Sequence, residues 1–340
     1  MNKRVLITGA SGFIGGFLVK EALKRGYDVW AGIRASSSLE NLQDERIRFI
    51  HLKYDDKDAL IKQLQEVVSV SGAWHYVIHN AGITKALHLG DYYTVNAHYT
   101  HILIESLAAA ECKPAKFLLM SSLGSYGPVN EYSLIPIRIN DKQQPDSIYG
   151  KSKLQAELFT KAQTHFPYVI LCPTGVYGPG DKEYLMEIKS INAGFDLKVG
   201  IKPQRFTFVY VKDLAVATFL AIEKPSAQNS TYFVSDGDAY DDYEFVGIVK
   251  KILGKRFVIN LRIPLWMCYL VFFCVEMTGK IFNKTMTLNT DKYKIFKQRN
   301  WVCETEQTHI DLGFIPQYNL KKGLEETIIF SKERSMLSFF

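Results

Sequence analysis

Several features are scarce in this chain. Its 340 residues hold only five cysteines, at positions 112, 172, 268, 274 and 303. They show neither metal-ligand spacing nor an even-numbered framework. That excludes a disulfide scaffold and a zinc module, and it points to reduced thiols in the cytoplasm with no metal site. Long apolar runs are missing too. The greasiest stretch, Pro264 to Val275, has twelve residues without charge before Glu276 interrupts it, whereas spanning a bilayer takes about 20. The formal net charge is +6, yet no basic stripe accompanies it, so nucleic acid is not an expected partner. No internal repeat, low-complexity tract or signal peptide is visible, and Met1-Asn-Lys-Arg runs straight into Val5-Leu-Ile.

What is present is an ordinary globular composition, 47% hydrophobic and 22% charged. The length suits one large domain or two unequal ones. The amino-terminal half alternates short apolar runs with helical periodicity, the pattern of an α/β protein with a parallel sheet. Strands are expected at Arg4–Thr8, Asp28–Arg34, Ile47–Leu52, Trp74–His79 and Lys116–Met120. Helices are expected from Phe17 to Arg25, Asp58 to Val68 and Tyr92 to Ala110. Gly26 is a plausible helix stop.

The first strand leads directly into Thr8-Gly-Ala-Ser-Gly-Phe-Ile-Gly15. Gly9, Gly12 and Gly15 sit between a strand and a helix, where glycine lets backbone approach a pyrophosphate and the helix N-terminus favours its charge. Ser11, Phe13 and Ile14 belong to the same expected dinucleotide loop. The second strand ends in Ile33-Arg34 and then Ser36-Ser-Ser38, with no carboxylate to hold the ribose hydroxyls of NAD. A guanidinium with hydroxyls suits a 2′-phosphate, so NADP is favoured, with NAD the alternative. Asp55 or Asp56 stands either near the adenine edge or as a helix N-cap. Asn80-Ala-Gly82 closes the fourth strand with small residues that leave room for a cofactor, and Pro173 is a further candidate contact. Asn96, within an apolar helical run, is either a satisfied structural residue or a site group.

Tyr149 and Lys153 lie four apart, on one helix face. An ammonium beside a phenol favours the phenolate. Proton transfer near pH ~7 from a group that ordinarily titrates near ~10 requires roughly 4 kcal/mol of such help. Lys153 and the positive charge of an oxidised nicotinamide are the expected sources.

Taken together, Thr8–Gly15, Asn80-Ala-Gly82, Asn96, Ser122 and Tyr149/Lys153 resemble the extended branch of the short-chain dehydrogenase/reductase family. Three strings add to the resemblance: Ser121-Ser-Leu-Gly-Ser-Tyr-Gly127, Pro173-Thr-Gly-Val-Tyr-Gly-Pro-Gly180 and Phe208-Val-Tyr-Val-Lys-Asp-Leu-Ala215. It covers roughly Lys3 to Glu223 well and the rest loosely. It implies a Rossmann-type doubly wound parallel sheet at 1–172. A smaller carboxyl-terminal α/β substrate-binding part follows at 173–330, with 203–235 returning to the core and 331–340 a disordered tail. It implies Tyr149 as general acid/base and Lys153 as the group that tunes it and holds the nicotinamide ribose. Ser122, four before Tyr126, would be the donor to the substrate oxygen, and Asn96 would order a water and proton path. A homodimer through the two long helices follows from the same resemblance.

Departures from the branch shape the expected activity. Cys172 stands where the branch often has an arginine, and Phe206 where its sugar-nucleotide enzymes usually carry one, with Arg205 one residue off. The second strand's arginine looks more like the NADP-using carbonyl reductases. The expected activity is therefore hydride transfer between NADP(H) and a hydroxyl or carbonyl carbon of a small, fairly apolar substrate. The alternatives are an NAD-dependent nucleotide-sugar epimerase/dehydratase and a non-catalytic dinucleotide-binding protein.

In the last third, Asp181 to Ile201 reads as an amphipathic helix. Thr231–Ser235 and Phe257–Ile263 read as strands, and Tyr243–Leu253 and Leu320–Phe330 as helices. Pro264 to Val275, apolar on every side, must be covered. It is expected as a core or lid helix, or as a peripheral membrane contact.

Overall fold

The computed structural model describes residues 3–337. Its centre is a seven-stranded, all-parallel sheet. The strands in chain order are β1 (Arg4–Thr8), β2 (Asp28–Ile33), β3 (Arg48–His51), β4 (Tyr76–His79), β5 (Lys116–Met120), β6 (Tyr168–Pro173) and, much later in the chain, Ser230–Val234. In space the order is Ser230–Val234, β6, β5, β4, β1, β2, β3. Strands β1, β4 and β5 are buried almost throughout, which is why they read as continuous apolar runs rather than alternations. The winding reverses between β1 and β4, and the crevice beyond their carboxyl ends is where such sheets bind ligands.

Helices cover both faces. On one side lie α1 (Phe13–Lys24) and Val211–Glu223, packed against each other. On the other lie α2 (Lys57–Ser71), a helical turn α3 (Gly90–Tyr92), a π-helical turn at Tyr93–His98, α4 (Tyr99–Ala109) and α5 (Ile148–Ala162). The doubly wound sheet expected from the sequence is thus present, with element ends shifted by at most four residues. The long helix expected at Tyr92–Ala110 carries the π turn within it. In the segment from Phe208 to Val234 the helix packs on α1, and the last strand pairs β6 from Ser230↔Val169 to Val234↔Pro173.

The remaining elements build a smaller lobe over the carboxyl ends of the strands. They are β7 (Gly175–Tyr177), α6 (Glu183–Asn192), β8 (Phe195–Val199), β9 (Arg205–Phe206), β10 (Phe208–Tyr210), β12 (Tyr240–Asp241), α8 (Asp242–Ile252), β13 (Ile259–Ile263), α9 (Leu265–Ile281), α10 (Thr290–Lys297), β14 (Asn300–Trp301) and α12 (Leu320–Glu333), whereas α7 (Val211–Glu223), β11 (Ser230–Val234) and α11 (Glu306–Leu312) pack with the central sheet. Two sequence expectations fail here. The helix expected from Asp181 to Ile201 stops at Asn192, because Gly194 takes a φ of +93° and the alternating Phe195-Asp-Leu-Lys-Val199 then pairs with β13. The tail expected from Ser331 is ordered at its start. Helix α12 runs through Glu333, Ser331 Oγ bonds the Thr327 carbonyl, and Leu337 is buried; residues 338–340 lie outside the described residues. No helix among those described is long and apolar enough to cross a membrane.

Candidate active site

The turn after β1 is shaped by two glycines. Gly9 has a φ of +65°, and a Cβ there would meet the Ala81 Cα at 2.8 Å. A Cβ on Gly15 would lie 2.1 Å from the Gly9 carbonyl oxygen and 2.7 Å from the Ala10 Cα. The first glycine lets the chain turn left-handed and the third lets α1 close onto β1. Gly12 is exposed at the start of α1, and Ser11, Phe13 and Ile14 line the cleft beside it. Thr8 Oγ1 accepts from the Ala81 amide at 3.1 Å, and Asn80 Nδ2 donates to the Gly9 carbonyl at 3.4 Å. The ends of β1 and β4 are thus tied together under the crevice.

That crevice is a cleft of about 1530 Å³, more than the ~300–1,000 Å³ of a drug-sized site and enough for a dinucleotide with a substrate. At its outer end lies Arg34, exposed just past β2. Its amide bonds Ser37 Oγ at 3.0 Å, and Ser38 lines the same wall. The nearest carboxylate in that loop, Glu40, pairs with Arg334 at 2.8 Å. Asp56 caps α2 through the Ala59 amide, while Asp55 accepts from the Tyr99 hydroxyl and does not line the cleft. Tyr54, half-buried and stacked on Tyr99, lines it instead.

At the inner end, Ser147 caps α5, and the helix presents Tyr149 and Lys153 to the cleft one turn apart. Lys153 is buried. Its ammonium donates to the Met120 carbonyl at 2.9 Å and lies beside Gly82, where a Cβ would come within 3.1 Å of it. Burial pulls Lys153 down to about 8, with the Glu157 carboxylate acting the other way. Tyr149 is pushed up to about 12, chiefly by burial. The Ser122 hydroxyl near the phenol opposes that shift, and Glu183 reinforces it. The direction differs from the depression expected from the spacing of Tyr149 and Lys153, because desolvation of the phenolate dominates.

Ser122 also accepts from the Gly124 amide at 3.0 Å, whereas its neighbour Ser121 turns inward to the buried Glu157. Pro173 lines the cleft at the end of β6. Asn96 sits in the π turn. It accepts from the Ile83 amide at 2.8 Å and donates to the Ile83 carbonyl at 3.1 Å and to Ser152 Oγ at 2.9 Å. Its carboxamide clamps the loop after β4 to α5, the satisfied arrangement that one of the two sequence readings described.

Three contributors went unseen in the sequence. Asp291, buried at the start of α10, accepts from the Ile148 and Tyr149 amides at 2.6 and 3.0 Å. A side chain from the last third thus binds the orphan N–H groups of the helix that carries Tyr149. Glu183 faces the cleft, paired with Lys292 at 2.6 Å. No local pattern announces either contact. His79 is the third. It is buried between Thr8 Oγ1 at 2.8 Å and Thr100 Oγ1 at 3.0 Å, and burial, with the charge of Lys153, pulls it down to about 3. The folded state therefore holds it neutral while the unfolded chain protonates it below about 6.5, so stability is lost as pH falls through that point. Urea unfolding should show the wild type losing up to about 1.4 kcal/mol more per pH unit than His79→Asn between pH ~6 and ~4. Equal slopes would place the acid sensitivity elsewhere.

The sheet and the glycine cradle at its switch point define a dinucleotide-dependent enzyme of the Rossmann type. The model of the NAD dependent epimerase/dehydratase family matches residues 5–235, and the chain belongs to that family. It is 27% identical to the UDP-glucose 4-epimerase of Vibrio cholerae over 96% of this chain and 95% of that one. It is 26% identical to the 3-beta-hydroxysteroid dehydrogenase of Mycolicibacterium neoaurum over 76% and 72%. Among solved structures, the UDP-glucose 4-epimerase of Thermotoga maritima superposes with a TM-score of 0.76, covering 98% of this chain and 99% of that one at 20% identity, a likeness of fold.

Proposed function

We propose that the protein is an NADP-dependent oxidoreductase acting on a hydroxyl or carbonyl carbon of a fairly apolar substrate. The observation that carries this is the joint placement of Tyr149, Ser122 and Lys153 at the inner end of a cleft whose outer end holds Arg34, Ser37 and Ser38 with no free carboxylate. The cradle formed by Gly9 and Gly15, which a Cβ would fill, fits a dinucleotide pyrophosphate. When bound, the nicotinamide supplies or takes the hydride. Tyr149, a phenol throughout the neutral range, holds the proton that a carbonyl oxygen takes as it becomes a hydroxyl. Ser122 orients the same oxygen, and Lys153 stands where a ribose hydroxyl can accept from it.

Beyond Tyr149 the wall carries the aromatics Tyr184, Phe206, Phe208, Phe245, Phe272 and Phe296, with charged groups such as Glu183, Glu187, Lys198 and Lys292 among them. Phe206 lines the cleft, and the neighbouring Arg205 is exposed outside it. That favours an apolar group over a diphosphate. Arg34→Asp is expected to weaken NADPH binding ~10–100-fold, the loss of a charge-assisted phosphate contact, and to leave NADH binding nearly unchanged in a fluorescence titration. Equal losses for both would overturn the NADP reading.

A second reading, an NAD-dependent nucleotide-sugar epimerase, is supported by the near full-length similarity to a UDP-glucose 4-epimerase. The same Tyr149 would serve it. Stoichiometric consumption of added NADPH supports the reductase. Interconversion of a nucleotide sugar without consumption supports the epimerase.

A further inference from the structure

The lobe over the cleft has its apolar and polar sides reversed. In β8, Phe195 and Leu197 are exposed while Asp196 and Lys198 are buried. In β13, Ile259 and Leu261 are exposed, and Arg262 turns inward to pair with Asp242 at 2.9 Å. The parallel register sets Phe195 beside Ile259 and Leu197 beside Leu261, so the two strands form one ribbon with an exposed apolar face that borders the cleft at Phe195 and Leu197. A half-buried ribbon in water has the opposite arrangement. Phe257, 77% exposed, and Ile201 extend that face.

Helix α9 continues it. Of its 17 residues only Cys268, Phe272 and Gly279 are buried. Trp266 is 65% exposed, Leu270 51% and Phe273 43%. The helix abuts the ribbon, since a Cβ on Gly200, just past β8, would touch the Leu265 side chain at 3.2 Å. The opposite side of α9, with Cys268 and Phe272, lines the cleft. The apolar helix that the sequence says must be covered is therefore uncovered by this chain on its outer side. A contiguous exposed patch of this kind marks an interaction surface.

Charge identifies what covers it. Residues 250–284 contain seven basic residues and one acid, Glu276, a net +6 equal to the excess of the entire chain. Glu276 is neutralised by Lys280 at 2.7 Å. Lys250, Lys251, Lys255, Arg256 and Lys284 make no ion pair among the described residues. A second copy docked by two-fold symmetry would set this charge against itself. An anionic lipid surface complements both the charge and the apolar face. The geometry points to α9 and the outer face of the β8–β13 ribbon as a docking surface for an anionic bilayer, which places the mouth of the cleft at the lipid.

The test uses the full chain and vesicles of phosphatidylcholine with or without phosphatidylglycerol. Binding is read by co-sedimentation, by the emission of Trp266, and by a polarity-sensitive probe on Cys274, the exposed cysteine among the five. Wild type is expected to sediment with the anionic vesicles in a salt-sensitive way, with a blue shift of the probe. The double variant Leu270→Glu/Phe273→Glu should lose binding at least tenfold at an unchanged melting midpoint. Lys251→Glu and Arg256→Glu, both exposed, should each weaken it about fivefold. The proposal is overturned if wild type stays in solution with both vesicles or if the double variant binds as wild type does. It is equally overturned if the double variant converts a lipid-free dimer to monomer without changing vesicle binding, which would assign the face to a second copy.

Discussion

Tyr149→Phe is expected to slow carbonyl reduction by about 10²–10⁴-fold, the usual worth of a positioned general acid, with NADPH affinity and melting midpoint close to wild type. The substitution removes one oxygen and keeps the ring, which packs edge-on against Tyr92 at 6.2 Å between centroids. Helix α5 keeps its Ser147 cap and its two bonds to Asp291. The measurement is NADPH consumption with the best carbonyl substrate of an apolar panel, set beside a cofactor titration. Because burial holds the phenol near 12, Tyr149 stays a proton donor across the neutral range, and its protonation should not limit reduction there. Lost cofactor binding and a lowered melting point together would make Tyr149 a structural residue and sink the catalytic assignment. Unchanged turnover would do the same.

What was legible in the sequence was local. The glycine turn, the strand ends that line the crevice and the four-residue step from Tyr149 to Lys153 are set by neighbours along the chain, and the fold places them as periodicity and spacing suggest. What was hidden depends on partners far away. Asp291 reaches back 142 residues to the Tyr149 amide, and nothing around Asn289-Thr-Asp291 beyond an ordinary helix start signals it. The alternation in Phe257–Ile263 was readable as a strand, but alternation does not say which face is inside. Here the charged face turns inward onto Asp242, and the apolar face is left outside. The balance at Tyr149 is hidden for a related reason. Spacing suggests that an ammonium is near, but only the fold shows how strongly burial opposes the phenolate.

Lys153→Met should produce a protein that is both more stable and inactive. The buried ammonium is lowered from its usual 10.5 to about 8, which corresponds to a folded-state penalty of ~3 kcal/mol at about 1.4 kcal/mol per pH unit. An unbranched apolar side chain of similar length removes that penalty and gives up one hydrogen bond to the Met120 carbonyl, ~1 kcal/mol. The net gain is ~2 kcal/mol, and thermal or urea unfolding at pH 7 should show it. The sign with pH is fixed. Below about 8 the folded protein carries the charge and the full penalty; from about 8 to 10.5 the folded state has released a proton that the unfolded chain still binds. Wild type therefore gains stability across that window, and its gap to the variant closes. Function moves the other way: with no donor where the proposal places a ribose hydroxyl, cofactor affinity and turnover should each fall at least tenfold. Wild-type cofactor affinity should likewise weaken as pH rises through 8, and that of Lys153→Met should not. A variant less stable than wild type at pH 7, or a gap that widens at alkaline pH, would mean that the ammonium is held in a favourable environment. It would then support the fold as well as the chemistry.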